Sequence, residues 1–170
     1  MNLVETIAKD HSRAQCDRVV KYVGKDPGRF DELVQVFLAG PYRITQRAAW
    51  PLGYCVEHHP HLIRPHLKTI INNLRRPGLH VAVKRNTVRL LQFIAIPPSL
   101  QGQAAAICFD LLQDAREPVA VRVFSMSVLA KIARDQPELK NELKILIEDQ
   151  LPYGSAGFLT RARKILKQLE

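Results

Sequence analysis

Apolar residues return along this chain at a helical spacing, and that spacing itself repeats. Leu52, Leu91, Leu129 and Leu166 fall 39, 38 and 37 residues apart. Three positions earlier stand Ala49, Val88 and Met126, and three later stand Cys55, Ile94, Ile132 and Leu169. A small residue, Ala48, Thr87, Ser125 or Ala162, leads each stripe. Apolar positions at i, i+3 and i+6 lie along one side of an α-helix, so each stripe predicts a helix packed against neighbours. Val81-Ala82-Val83 alternates like a strand, but it occupies the same place in the period as Val119-Ala120-Val121, and both lead into a stripe. Both segments are therefore expected to be helical.

Prolines punctuate the same period. Pro27, Pro60, Pro98 and Pro137 follow short polar turns at intervals of 33, 38 and 39 residues, and each precedes a helical pattern. Proline suits the first turn of a helix, where an N–H would have no partner in any case. A second break inside each period, at Gly40-Pro41, Pro77-Gly78, Asp114-Ala115 and Tyr153-Gly154, divides the unit into two helices.

A period of this length with two helices per unit predicts an all-α solenoid. The pattern resembles HEAT repeats, carried by Val121-Arg122 followed by Leu129, Ala130 and Ile132, and by Val83-Lys84 followed by Leu91 and Ile94. The resemblance implies a right-handed α-α superhelix of the armadillo type, with an N-terminal helical cap at 1–26 and units at 27–59, 60–97, 98–136 and 137–170 in one domain. The chain departs from the motif where Thr45 replaces the basic residue. It departs again at Pro51, which cannot donate to the Arg47 carbonyl and is expected to kink its helix.

Composition narrows the class. The 170 residues are 46% hydrophobic, 24% charged and 6% aromatic, which suits a folded chain of helices better than a β-sandwich. Cys16, Cys55 and Cys108 are an odd set with no Cys-x-x-Cys pair, so reduced core thiols are expected rather than disulfides or a zinc knuckle. No basic leader precedes an apolar stretch at the start and no apolar run reaches membrane-spanning length, so a cytoplasmic chain with no membrane partner is expected.

Charge is concentrated in the middle. Residues 33–109 carry nine Lys and Arg against one acid, Glu57, within a total of +9. Clustered cations speak of partners rather than fold. If the stripes face inward, the remaining positions of the second helices form columns on a groove. These read Arg47, Asn86, Phe124, Arg161; then Trp50, Arg89, Ser127, Lys164; then Gln46, Arg85, Val123, Thr160, with Arg43 one turn before Arg47. The candidate partner-binding residues are Arg43, Arg47, Trp50, Arg85, Arg89, Phe124, Arg161 and Lys164.

Such a groove fits a non-catalytic scaffold that takes an acidic or phosphorylated protein segment, with Trp50 and Phe124 as anchors. It also fits binding of a nucleic-acid backbone, although Val123 and Phe124 interrupt the basic track. A third reading is a merely solvated face. On the first of these, reversing the charge of Arg47 and Arg89 together should abolish capture while the melting temperature stays put.

Other clusters point less far. His58, His59, His61 and His66 straddle Pro60 in a turn where side chains diverge, so no metal site is expected. Arg64, Lys68 and Arg75 share one exposed side if they lie on a single helix, and Glu138, Glu142, Glu148 and Asp149 with Lys140 and Lys144 read as a solvated surface. No catalytic Ser-His-Asp set, phosphate loop or dinucleotide fingerprint is present, so neither an enzyme nor a cofactor is expected. HEAT-like DNA glycosylases use an acid among aromatics and arginines, and no acid is expected beside Trp50. A lyase of the fumarase kind would need a Gly-Ser-Ser loop, and the nearest string is Gly154-Ser155-Ala156.

Overall fold

The computed structural model describes residues 1–170 and contains only helices, ten of them α-helices. They form two compact units, Met1–Ile94 and Ala95–Glu170.

The first unit holds α1 (Leu3–Lys9), α2 (Arg13–Val23), α3 (Pro27–Ala39), α4 (Tyr42–His58), α5 (Leu67–Asn73) and α6 (Val81–Leu91). Local chemistry sets the starts. Asn2, Ser12 and Asp26 accept hydrogen bonds from the backbone N–H three residues on, at 3.1, 3.2 and 2.9 Å, satisfying donors that a helix leaves free. His80 does the same for α6, its Nδ1 accepting from the Ala82 N–H at 3.1 Å. That bond fixes the proton on Nε2, which stands 2.6 Å from the Tyr42 hydroxyl. Gly40 makes the tight turn from α3 into α4: a Cβ there would meet the Val36 carbonyl oxygen at 2.5 Å.

α4 is the hub of this unit, packing on α1, α2, α3 and α6. Ala48, Ala49, Leu52 and Cys55 from α4, and Thr87, Val88, Leu91 and Ile94 from α6 and its exit, are all buried. Burying such side chains is the main favourable term in the fold. Pro51 does not end its helix. α4 runs through it to His58, and Pro51 is itself buried.

One helix departs from expectation. Residues Pro60–His66 form a 3-10 helix and only Leu67–Asn73 is α-helical. Pro60 and Pro65 lack the N–H that an α-helical ladder would use. Arg64 therefore lies on the 3-10 stretch and Lys68 on α5, while Arg75 and Arg76 lie beyond it; all four are exposed but do not share one helix face.

The second unit holds α7 (Pro98–Gln113), α8 (Val119–Asp135), α9 (Leu139–Gln150) and α10 (Ala156–Leu169). α8 is its hub, packing on α7, α9 and α10. Ser125, Met126, Leu129 and Ile132 are buried as the stripe requires. In α10 the buried set is Phe158, Ala162 and Ile165, while Leu166 and Leu169 are only half-buried. The stripe has rotated by one position because this last helix has α8 and α9 on one side and solvent on the other.

Polar side chains lock helix ends. Arg122 donates through Nε to the Leu112 carbonyl at 3.3 Å and through Nη2 to Gln150, and its guanidinium lies 5.0 Å from the Phe158 ring centre. It thereby joins α7, α9 and α10. Thr45, which replaces the basic motif residue in α4, performs a shorter version of this task. Its hydroxyl donates to the Gly40 carbonyl at the end of α3, at 2.9 Å. In the second unit Gln101 is 4% exposed and donates to the Ile96 carbonyl at 3.1 Å and to Asp135 at 2.9 Å. A buried amide so satisfied holds α7 against the end of α8.

Candidate functional site

In the first unit α4 and α6 stand side by side, and the positions between their buried stripes open a cleft of roughly 370 Å³. Gln46 and Trp50 come from α4, Ala82, Arg85, Asn86 and Arg89 from α6, and His11 from the loop before α2. The helical repeat explains the convergence. Gln46 and Trp50 are one turn apart, as are Arg85 and Arg89, so two side chains from each helix face the same space.

Trp50 stands at one edge, its ring 5.4 Å from that of His11 in an edge-to-face arrangement. Arg89 lies deeper. Its Nη2 is 2.7 Å from Glu57 Oε1, with the two side chains 30% and 22% exposed. The contact is an ion pair and not an aligned hydrogen bond, since that carboxylate oxygen has no hydrogen-bond partner. Gly53 makes room for it, because a Cβ there would meet Arg89 Nη1 at 3.3 Å. The Arg89 guanidinium also lies 5.9 Å from the Tyr54 ring centre and 5.7 Å from that of Phe93. Arg13 sits closer to Tyr54, 4.6 Å from its centre, and donates to its hydroxyl at 2.8 Å. Arg85 is exposed at the mouth and enters no ion pair. Asn86 turns its amide back to the Ala82 carbonyl at 2.7 Å.

Trp50, Arg85 and Arg89 thus meet at one cleft, and the other expected residues lie elsewhere. Arg43 is exposed on the first turn of α4 and does not line the cleft. Arg47 points into a narrower recess with Asp10, His11 and Trp50. There its Nη1 donates to the Ala8 carbonyl at 2.6 Å and, more weakly, to that of Ile7 at 3.4 Å. These carbonyls end α1, so Arg47 caps that helix and ties it to α4. These bonds predict that an Arg47 substitution lowers stability, against the unchanged melting temperature expected for the charge-reversed pair.

Phe124, Arg161 and Lys164 belong to α8 and α10 of the second unit. Phe124 is half-buried and Lys164 exposed, while Arg161 donates to the Ser127 hydroxyl. Val123, expected on the surface column, is 8% exposed and belongs to the core. The column reading also missed the acids. Asp10 shares the recess with Trp50, and Glu57 holds Arg89. Asp10 is kept below the usual carboxylate range by the Ser12 hydroxyl, with smaller help from the His11 backbone N–H and the Arg47 charge. Asp10 escaped the sequence reading because it lies in segment 1–26, outside the four units aligned from the sequence. Glu57 was legible in principle, since it lies four residues after Gly53 on one side of α4.

The three cysteines are free and buried. Burial pushes Cys16 up to about 11, and Cys55 and Cys108 up to about 12. Such thiols stay protonated and are poor nucleophiles or metal ligands. No helix is long and apolar enough to cross a membrane.

No curated protein and no solved structure matches the chain. The HEAT repeat domain matches residues 3–169, nearly end to end. Paired helices, the repeating buried stripe and that match agree, and the chain belongs to the HEAT-repeat family of helical scaffolds.

Proposed function

We propose that this chain is a non-catalytic scaffold whose α4–α6 cleft takes up an acidic or phosphorylated segment of another protein. The observation that carries this reading is the meeting of Trp50, Arg85 and Arg89 around one open cleft of roughly 370 Å³. A guanidinium fork binds a carboxylate or phosphate through two parallel N–H donors, and an adjacent indole supplies apolar contact area. Arg85 is open at the mouth, and Arg89 is held in place by Glu57 and can share its remaining donors. Three buried, unpaired thiols fit a reducing, cytoplasmic setting.

A nucleic-acid backbone is the weaker fit. It calls for a row of open cations, each meeting a phosphate. Arg47 is committed to the end of α1 and Arg89 is shared with Glu57, so within the α4–α6 cleft Arg85 alone is an open cation without an ion partner. Tyr54, the aromatic nearest Trp50 along α4, already carries Arg13 and Arg89 against it and offers no open ring for a base.

The test follows Trp50 emission, the single tryptophan of the chain, during titration with three probes. These are an Asp/Glu-rich peptide, its phosphoserine counterpart and a single-stranded oligonucleotide of matched charge. The reading predicts saturable quenching or a spectral shift with one or both peptides at physiological salt. Response to the oligonucleotide alone, falling steeply with salt, would replace it with backbone binding.

A further inference from the structure

The second unit carries a surface of opposite character. α9 sorts its charges by side. At 100° per residue, Glu138, Glu142, Ile145 and Asp149 fall in one narrow strip, while Lys140, Lys144 and Glu148 fall on a different side. Within the latter set Lys144 Nζ stands 4.0 Å from Glu148. The former set faces a groove of roughly 420 Å³ between α9 and α7, whose apolar lining is Phe109, Ile145 and Leu146. Ile145 is 51% exposed at its centre, one of the few large aliphatic side chains left open to solvent. Glu138, Glu142 and Asp149 around it form no ion pair. All four acids are exposed, as expected of a solvated surface, but three of them line this groove and Glu148 does not.

The chemistry selects the occupant. Three carboxylates repel nucleic acid and anionic lipid. They do not converge as ligands, since no group of His, Cys, Asp and Glu side chains here could hold a metal ion. An exposed Ile beside a Phe needs an apolar counterpart, and unpaired carboxylates at its rim need cations. We propose that the α7–α9 groove docks a basic segment of another protein, one that sets an aliphatic or aromatic side chain on Ile145 and Phe109 between Lys or Arg residues. The apolar contact at the centre supplies most of the affinity, and the rim carboxylates select the sign of the partner's charge and speed its approach. This surface lies on different helices from the α4–α6 cleft and does not depend on the function proposed for it.

The experiment uses the full-length ¹⁵N-labelled chain and two synthetic peptides of equal positive charge. One places Leu among Lys at helical spacing, and the other replaces each Leu with Ser. Amide shifts from the Lys/Leu peptide are expected to centre on Phe109, Gln113, Ile145 and Asp149. The Lys/Ser peptide should bind at least about tenfold more weakly, and Ile145→Ser and the double variant Glu142→Lys, Asp149→Lys should each weaken the Lys/Leu peptide by about tenfold. Both variants change exposed residues, and circular dichroism should show unaltered helix content. Shifts centred elsewhere, equal binding of the two peptides, or unchanged affinity in both variants would overturn the proposal. So would concentration-dependent self-association that Ile145→Ser abolishes, because the occupant would then be a second copy of this chain.

Discussion

Arg89 of α6 reaches over Gly53 of α4 to set Nη2 2.7 Å from Glu57, so the deepest cation of the cleft is held in place by the one acid in a long basic stretch. The pair keeps the guanidinium oriented but also competes with any incoming anion. Glu57→Gln should therefore tighten binding of a phosphoserine peptide by about three- to tenfold while stability changes by less than about 1 kcal/mol, as for other partly solvated ion pairs. Fluorescence titration and urea denaturation check the two halves. Weaker binding in the variant would mean that orientation of Arg89 outweighs competition.

Arg47 acts on stability more than on binding. Its bonds to the carbonyls that end α1 predict that Arg47→Ala lowers the unfolding free energy by about 1–2 kcal/mol, the usual worth of a charge-assisted hydrogen bond with a helix end. Urea unfolding followed by circular dichroism measures it, and amide exchange in Leu3–Lys9 should rise in step. An unchanged midpoint would show that α1 is held without this cap.

Leu91 sits in the repeated core column and is fully buried. Leu91→Ala should cost about 2–5 kcal/mol through lost transfer energy and the cavity left behind. A loss under about 0.5 kcal/mol, the range of surface changes, would contradict the burial of this stripe.

The thiols make stability fall on the alkaline side. In the unfolded chain they ionise near the ordinary value of 9.0, whereas burial holds Cys55 and Cys108 up to about 12 and Cys16 up to about 11. The unfolded state therefore loses protons first, so the contribution is whole below about pH 9 and declines as pH rises towards the folded values. Urea midpoints between pH 8 and 10.5 should drop, and replacing Cys55 with Ala should flatten the drop. Alkylation by iodoacetamide in native buffer at pH 8 should be very slow at all three sites.

Much of this architecture is legible in the order of residues. The spacing of Leu52, Leu91 and Leu129 puts one side of α4, α6 and α8 in the core, and the same register brings Trp50, Arg85 and Arg89 to neighbouring outward positions. What escaped lies outside the period. Arg47 occupies a groove column by register, yet α1, which lies before the four units aligned from the sequence, offers its carbonyls and takes the guanidinium. Val123 was read as outward from α4 and α6, but α8 packs on α7, α9 and α10, and this position is covered. The 3-10 stretch at Pro60–His66 depended on Pro65, a second proline whose missing N–H the helical pattern of apolar residues does not register. The acidic groove of the second unit takes Phe109 and Gln113 from α7 as well as the charges of α9, which read in sequence only as a solvated surface.

The most direct test of the cleft is charge reversal at its mouth. Arg85 is exposed and makes no ion pair, so Arg85→Glu should leave helix content and melting temperature unchanged. Anisotropy of a labelled phosphoserine peptide would be measured against the unaltered chain, Arg85→Glu, and Arg64→Glu as an exposed change of equal charge on the 3-10 stretch. The account predicts at least about a tenfold loss for Arg85→Glu and under about twofold for Arg64→Glu. Equal losses in both variants, or none in either, would contradict a specific anion-binding cleft between α4 and α6.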